Sequence, residues 1–272
     1  PTVPLPLHPY LVGLWRGDGS RGQPRYTKPY LEVAEKLRSL GFDLTSDARN
    51  MHWYVRGIKD RMTDPVFQLC SPDRYIPQIY KYTSVEQRME LLAGLLDSDG
   101  EVHAAGTIGF SSTSHQLAQD VLWLARSLGC KAMVQDTVKM PVYTSKFGLP
   151  VPGRPCWRLT INSPFNPFTV EHKRKRYKPS EARYLKRWID MIEPVPDQDA
   201  MCIEVEATDG LFLANDFIVT HNSALVGQIV HWGLSTMPGT MVRVTAVKED
   251  QLRTTTWPEI CKWFGLGLNK HW

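Results

Sequence analysis

Paired cysteines are missing from this chain. Its five (Cys70, Cys130, Cys156, Cys202 and Cys261) form an odd, scattered set with no metal-ligand spacing. That argues against a disulfide framework and leads us to expect a reducing, cytoplasmic setting. No run of about eighteen apolar residues occurs, so no transmembrane helix and no membrane partner is expected. The opening PTVPLPLHPY has no apolar run behind a basic start, which excludes a secretory signal, and a chain that starts at Pro1 rather than Met reads as a fragment. Charge of one sign is scarce too: a net charge of +4 identifies no partner by itself. A glycine-rich loop ending in Lys is also missing, so the chain cannot cradle a nucleotide triphosphate unaided.

What is present is a sequence that folds: 272 residues, 42% hydrophobic and 22% charged, enough for one or two domains. The charge is uneven. His172 to Lys178 reads HKRKRYK, a run that is either a solvated face or a nucleic-acid contact through Lys173, Arg174, Lys175, Arg176 and Lys178.

One internal repeat stands out. Tyr10 to Gly19 reads YLVGLWRGDG and Leu91 to Gly100 reads LLAGLLDSDG. Each is a short apolar helix with a central glycine and a terminal Asp-Gly. An amphipathic helical pattern follows each, YLEVAEKLRSL stopping at Gly41 and QLAQDVLWLARSL stopping at Gly129. Short β-like runs surround them: GTIGFSS, KAMVQDTV and CWRLTI. The first copy carries less strand signal and is the shorter one. A glycine in mid-helix costs about 1 kcal/mol relative to alanine, which close helix–helix contact offsets. Asp18 and Asp99 sit at helix C-termini, where the macrodipole disfavours a carboxylate. A divalent cation reverses that sign. Side by side, two such helices bring two acids together, able to hold Mg²⁺ and activate water for phosphodiester cleavage. For a single copy, an apolar core helix with a polar cap explains the pattern as well; the duplication favours the site.

These motifs, LVGLWRGDG and LAGLLDSDG, with flanks PLPLHPYLVGLWRGDGS and RYIPQIYKYTSVEQRMELLAGLLDSDG, resemble the paired motifs of the LAGLIDADG homing endonucleases over roughly residues 4 to 190. The resemblance implies an α+β fold of two αββαββα-type halves forming a saddle over double-stranded DNA, with sheet side chains reading the major groove. It makes Asp18 and Asp99 the metal-binding catalytic acids, with Mg as cofactor, and turns the HKRKRYK run into a phosphate contact. Two departures are visible. Where the family often has a lysine before Ile-Pro, this chain has Arg74, which cannot act as a base but can stabilise a phosphate. Arg16 and Gly17 stand where the family name spells Asp and Ala.

After the proline-rich IEPVPDQD the character changes, and Met201 to Ser223 reads MCIEVEATDGLFLANDFIVTHNS, β-like with a turn at Asp209-Gly210. His-Asn-Ser alone identifies nothing. In this context it resembles the C-terminal splice junction of an intein, the last β-strands of a Hint splicing domain. The resemblance implies that the Asn222 amide closes a succinimide and breaks the bond to Ser223. His221 assists by proton transfer, and the Ser223 hydroxyl carries the migrating ester. Cys202 and Thr220 resemble a minority intein class in which the cysteine attacks the upstream junction; a buried structural cysteine is the other reading of Cys202. The upstream splicing half, with its Thr-x-x-His motif, is not in this sequence and is expected as a partner from the same precursor or a second polypeptide. Thr169 and His172 have that spacing but lie on the wrong side of the endonuclease.

From Ser223 the sequence SALVGQIVHWGLSTMPGTMVRVTAVKEDQLRTTTWPEICKWF predicts helix, strand (MVRVTAV), helix. It resembles the segment after the P-loop lysine of phage terminase large subunits, a partial P-loop α/β segment with Ser223 as its future Mg²⁺-binding serine. The sequence thus divides into an endonuclease (1–190), splicing motifs (191–222) and the start of a host segment (223–272). Two alternatives stand beside it. A free-standing DNA endonuclease or DNA-binding protein does not need the His-Asn-Ser junction, and a terminase ATPase fragment lacks its phosphate loop.

Overall fold

The computed structural model describes residues 2–62, 65–135, 140, 142–144, 148–179, 186, 191, 193–194, 196, 205–206, 211–220, 222–245 and 249–267. It divides into two compact units, Pro1–Asp190 and Met191–Trp272.

The first unit is built on two crossing helices, α1 (Pro9–Asp18) and α4 (Val85–Asp99). The first begins with Pro9, whose missing N–H falls where the helix has no acceptor for it, and with the His8 ring accepting the Tyr10 N–H. The other begins with a reciprocal capping box between Ser84 and Gln87. α1 is buried along most of its length and α4 from Leu91 on: Tyr10, Val12, Leu14, Leu91, Leu95 and Leu96 are fully covered.

Around α1 lie β1 (Arg25–Thr27), α2 (Leu31–Ser39), β2 (Leu44–Ser46) and β3 (His52–Val55), with the strands in the antiparallel order β1-β3-β2. The short α3 (Gln78–Lys81) leads into the second half. Its segment is pinned where the Asp120 carboxylate accepts the Ile76 N–H and the Lys81 ammonium. After α4 come β4 (Gly100–Val102), β5 (Ile108–Ser112), α5 (His115–Ser127), β6 (Lys131–Val134), β9 (Trp157–Asn162) and α6 (Glu171–Arg176). The sheet order is β4-β5-β9-β6, and an exposed ribbon, β7 (Val142–Thr144) with β8 (Pro150–Pro152), is inserted before β9. Leu117, Val121, Leu124 and Ala125 pack α5 into the core at helical spacing.

The second half follows the expected αββαββα order. The first half does not: its sheet has three strands of three or four residues. The reason is length. Residues 19–30 separate α1 from α2, fewer than the residues 100–114 between α4 and α5, and they hold one strand, β1, joined to Gly19 by a single bridge at Tyr26.

The second unit contains the hairpin β10 (Phe212–Ala214) and β11 (Ile218–Thr220), pairing Phe212 with Thr220, and turning through Asp216 and Phe217, both at φ 59°. Then come α7 (Asn222–Thr236), α8 (Glu249–Gln251), a π turn (Leu252–Thr256) and α9 (Trp257–Leu266). Helices α7 and α9 meet where the His231 ring lies 2.8 Å from the Ile260 carbonyl. The strand expected around MVRVTAV is not formed over residues 241–245. A strand needs a neighbour to take its hydrogen bonds, and among the described residues none pairs with it. No described helix is long and apolar enough to cross a membrane.

Candidate active site

The approach of α1 to α4 is set by glycine. A Cβ on Gly13 would stand 2.2 Å from the Leu91 carbonyl oxygen, and one on Gly94 would stand 2.1 Å from that of Tyr10. Nearer the helix ends, a Cβ on Gly17 would lie 2.1 Å from Ser98 Oγ and 2.9 Å from Asp99 Oδ2. Glycine at position 17 therefore keeps open the space beside the Asp99 carboxylate.

Each helix exposes carbonyls at the end that carries its acid, and a buried cation covers each set. Arg74 donates Nη1 to the Arg16 and Gly17 carbonyls at 2.6 Å each and Nη2 to that of Gly19 at 2.7 Å. Lys173 donates Nζ to the Leu96 and Asp97 carbonyls, both at 2.8 Å. These contacts satisfy C-terminal helix carbonyls and set positive charge against the negative helix end.

Between the helix ends the acids are under electrostatic tension. Burial raises the Asp99 pKa to about 6, with the negative charge of Asp18 as the next cause. Burial raises Asp18 as well, opposed by Lys28, whose Nζ lies 3.0 Å from Asp18 Oδ2. Burial also lowers Lys173 to about 8 against the pull of neighbouring carboxylates. A divalent cation fits such a pair, which supplies hard oxygen donors whose charges oppose one another. Among the described residues no three His, Cys, Asp or Glu side chains gather as a metal-binding group. Two carboxylates fall within the one or two that Mg²⁺ takes when water and substrate phosphate complete its shell.

Several expected site residues lie elsewhere than their chemistry suggested. Arg74 is only 6% exposed, with three of its hydrogen bonds spent on helix carbonyls; it is a helix cap, not a guanidinium open to phosphate. Lys173 is 7% exposed and also faces inward, so the basic run is not one face: Arg174, Lys175, Arg176 and Lys178 are exposed, and Lys175 pairs with Glu171 at 2.6 Å. Arg16 is buried beside the Trp15 and Phe67 rings, 5.4 and 5.2 Å from their centroids. Thr169, whose spacing from His172 is a chance match, donates its backbone N–H to Asp97. Thr220 ends β11. Cys202 and His221 lie outside the described residues, as do the side chains of Asn222 and Ser223, whose backbone opens α7.

Sequence reasoning missed two members of the site. Asp97, fully buried, accepts the Tyr10 hydroxyl at 2.8 Å and the N–H groups of Thr169 and Val170 at 3.0 and 3.3 Å. It ties α1 to the turn that starts α6 and delivers Lys173. Its signal was its place in the repeat, opposite Arg16. Lys28 had no motif to mark it.

Residues 75–147 match the family model described as homing endonuclease. This span includes all of α4 with Asp99. A curated relative, the replicative DNA helicase DnaB of Mycobacterium intracellulare, is 30% identical over 222 residues. The match takes in 80% of this chain, which spans about a third (35%) of that relative's length. Among solved structures, mesophilic variants of the homing endonuclease I-DmoI align with 12% identity and a TM-score of 0.37, covering 63% of this chain and 86% of theirs. I-DmoI in complex with DNA and Ca aligns with 9% identity and a TM-score of 0.36, covering 62% and 95%.

Proposed function

We propose that this chain is part of an intein that carries a homing endonuclease: residues 1–190 cut double-stranded DNA, 191–222 complete a splicing domain, and 223–272 begin the interrupted host protein. The observation that carries the cleavage reading is the crossing of α1 and α4 at Gly13 and Gly94, which brings Asp18 and Asp99 to one end of the pair. The homing endonuclease match over residues 75–147 supports it.

Asp18 and Asp99 would hold Mg²⁺, which would supply the acidification of a bound water and the polarisation of the scissile phosphate. Every other part of the work falls to the chain. Gly17 leaves room beside Asp99, Arg74 and Lys173 fix the two helix ends, and Asp97 with Tyr10 holds the halves in register. The two halves each face one DNA strand. Away from the core, Arg25, Thr27, His52 and Tyr54 on one sheet and Ser111, Arg158, Thr160 and Lys131 on the other alternate with buried residues. Those outward faces read the groove, and Arg174, Lys175, Arg176 and Lys178 contact phosphates.

The DnaB match favours an inserted element over a free-standing enzyme. Its 222 aligned residues far exceed the tail after Ser223, so most of the similarity falls before the junction, within a much longer chain. It leaves the terminase-like reading of residues 223–272 resting on their own sequence.

The test is a duplex carrying the host gene uninterrupted at the Ser223 codon. With Mg²⁺ the chain cuts both strands near that codon, and Asp99→Asn binds the duplex without cutting. Equal cutting by Asp99→Asn overturns the assignment.

A further inference from the structure

The chain enters the first unit beside the start of α4. Val3 donates its N–H to Gln87 Oε1 at 3.1 Å, and its carbonyl accepts Gln87 Nε2 at 2.7 Å. Further along, the Leu7 N–H and carbonyl both meet the Tyr80 hydroxyl of α3, at 3.1 Å each. The way out of the unit lies at the same end. Arg88, next to Gln87, donates Nη1 to the Ser127 carbonyl at the end of α5 at 3.1 Å, and just past that helix Lys131 donates Nζ to the Lys186 carbonyl at 2.9 Å. From Val85 to Asp99 the rise of α4 is about 21 Å at 1.5 Å per residue. Entry and exit therefore share the end of the unit remote from the acids.

That end also carries exposed apolar side chains. Tyr82 is 68% exposed, Ile79 and Val85 are 48% and 49% exposed, and Met89 is exposed too. Val85 and Met89 stand one turn apart on α4. The Tyr82 ring meets that of Trp123 on α5 edge to face, centres 5.4 Å apart. Trp123 in turn lies one turn from Ser127, the partner of Arg88. The end of α3 and the first turns of α4 thus follow one stripe of α5, and their exposed side chains make one patch. Lys81 at its edge is held by Asp120, and Glu86 is exposed beside it. Such a surface suits an apolar protein face rather than phosphate.

We propose that Ile79, Tyr82, Val85 and Met89 dock the upstream splicing half, seating it beside the point where the chain leaves the endonuclease. The proposal rests on the splicing reading above. On that reading the upstream half is the polypeptide that leads into Val3, so it arrives at the end of the unit that carries the patch. Burial of these side chains against an apolar face of that half drives the association. The endonuclease then serves splicing as a scaffold: holding the upstream half next to the exit raises the effective concentration of one junction near the other.

The experiment uses the full chain, with the upstream half encoded before it supplied as a separate polypeptide. Calorimetry follows binding, and mass spectrometry follows release at Ser223. Val85→Ser combined with Met89→Gln, and separately Tyr82→Ser, weakens binding at least tenfold. Release slows when the half is subsaturating and recovers when it is saturating, while DNA cutting stays within twofold of wild type. Tyr143→Ser, at a tyrosine comparably exposed on the β7–β8 ribbon, binds as wild type does. Unchanged binding in both patch variants overturns the proposal while the splicing reading stands. Sedimentation supplies the alternative occupant: variants that lose self-association but keep the upstream half assign the patch to a second copy, which also overturns it. A wild type that releases nothing at Ser223 when saturated with the half overturns the splicing reading, and the proposal with it.

Discussion

Gly13 and Gly94 meet backbone to backbone: a Cβ on Gly13 would lie 3.2 Å from the Gly94 carbonyl carbon. Everything at the site depends on that approach. Alanine at either position gains about 1 kcal/mol of helix propensity, but its methyl group meets carbonyl oxygens that cannot move aside without parting the helices. Gly94→Ala should lower stability by about 1–3 kcal/mol net. Thermal melting checks it, with loss of Mn²⁺ affinity as the companion readout, because separated helices no longer present their acids together.

The acids should set a pH signature on stability. The Asp99 pKa in the folded chain is raised to about 6, above its unfolded value near 4. Its contribution is therefore fully present below about pH 4 and lost as pH rises through 6. At pH 7.5 without metal, Asp99→Asn should be more stable than wild type by up to about 2–3 kcal/mol. The advantage should shrink as pH falls from 6 to 4. Saturating Mg²⁺ should reverse the order at pH 7.5, since only the carboxylate gains from the ion. Denaturant titrations at three pH values decide it.

Lys173 and its neighbours should separate cleanly. Lys173→Met leaves the Leu96 and Asp97 carbonyls uncovered and should lower stability by about 1–3 kcal/mol, with the salt dependence of DNA binding unchanged. Replacing Arg174 and Arg176 together by alanine should leave the melt alone and flatten the log–log salt slope by about one unit per lost phosphate contact. An unchanged slope returns those residues to plain solvated surface.

How much of this was legible beforehand depends on what each feature requires. Helices α1, α2, α4, α5, α7 and α9 were readable because apolar residues at helical spacing and terminal glycines act locally; Gly41 and Gly129 adopt φ of 86° and 81°, as helix stops do. The acid pair was readable as a repeat. The direction of a single cation was not. In HKRKRYK, Lys173 and Tyr177 are four residues apart on the buried side, a phase that only the packing of α6 reveals. Lys28 reaches Asp18 by way of the Gly19–Tyr26 bridge, a turn back onto the helix end that no apolar period or turn motif marks. The strand expected over MVRVTAV is absent from its described residues, 241–245, for the complementary reason: β pattern is local, but a strand forms only beside another.

The splicing assignment predicts a specific failure. With the upstream half supplied, Asn222→Ala should stop release at Ser223 while upstream chemistry continues, because the alanine has no amide to cyclise. Cys202→Ala should abolish the branched intermediate. If the branch forms at the normal rate, Cys202 is structural. Mass spectrometry of the precursor distinguishes the products.

The shared metal site is the centre of this account, and diffraction at the manganese edge tests it most directly. Crystals of the chain soaked in Mn²⁺ should show an anomalous peak within about 2.0–2.6 Å of a carboxylate oxygen from both Asp18 and Asp99, the range for oxygen ligands of divalent ions. A peak bound to one acid alone, or to neither, would contradict it.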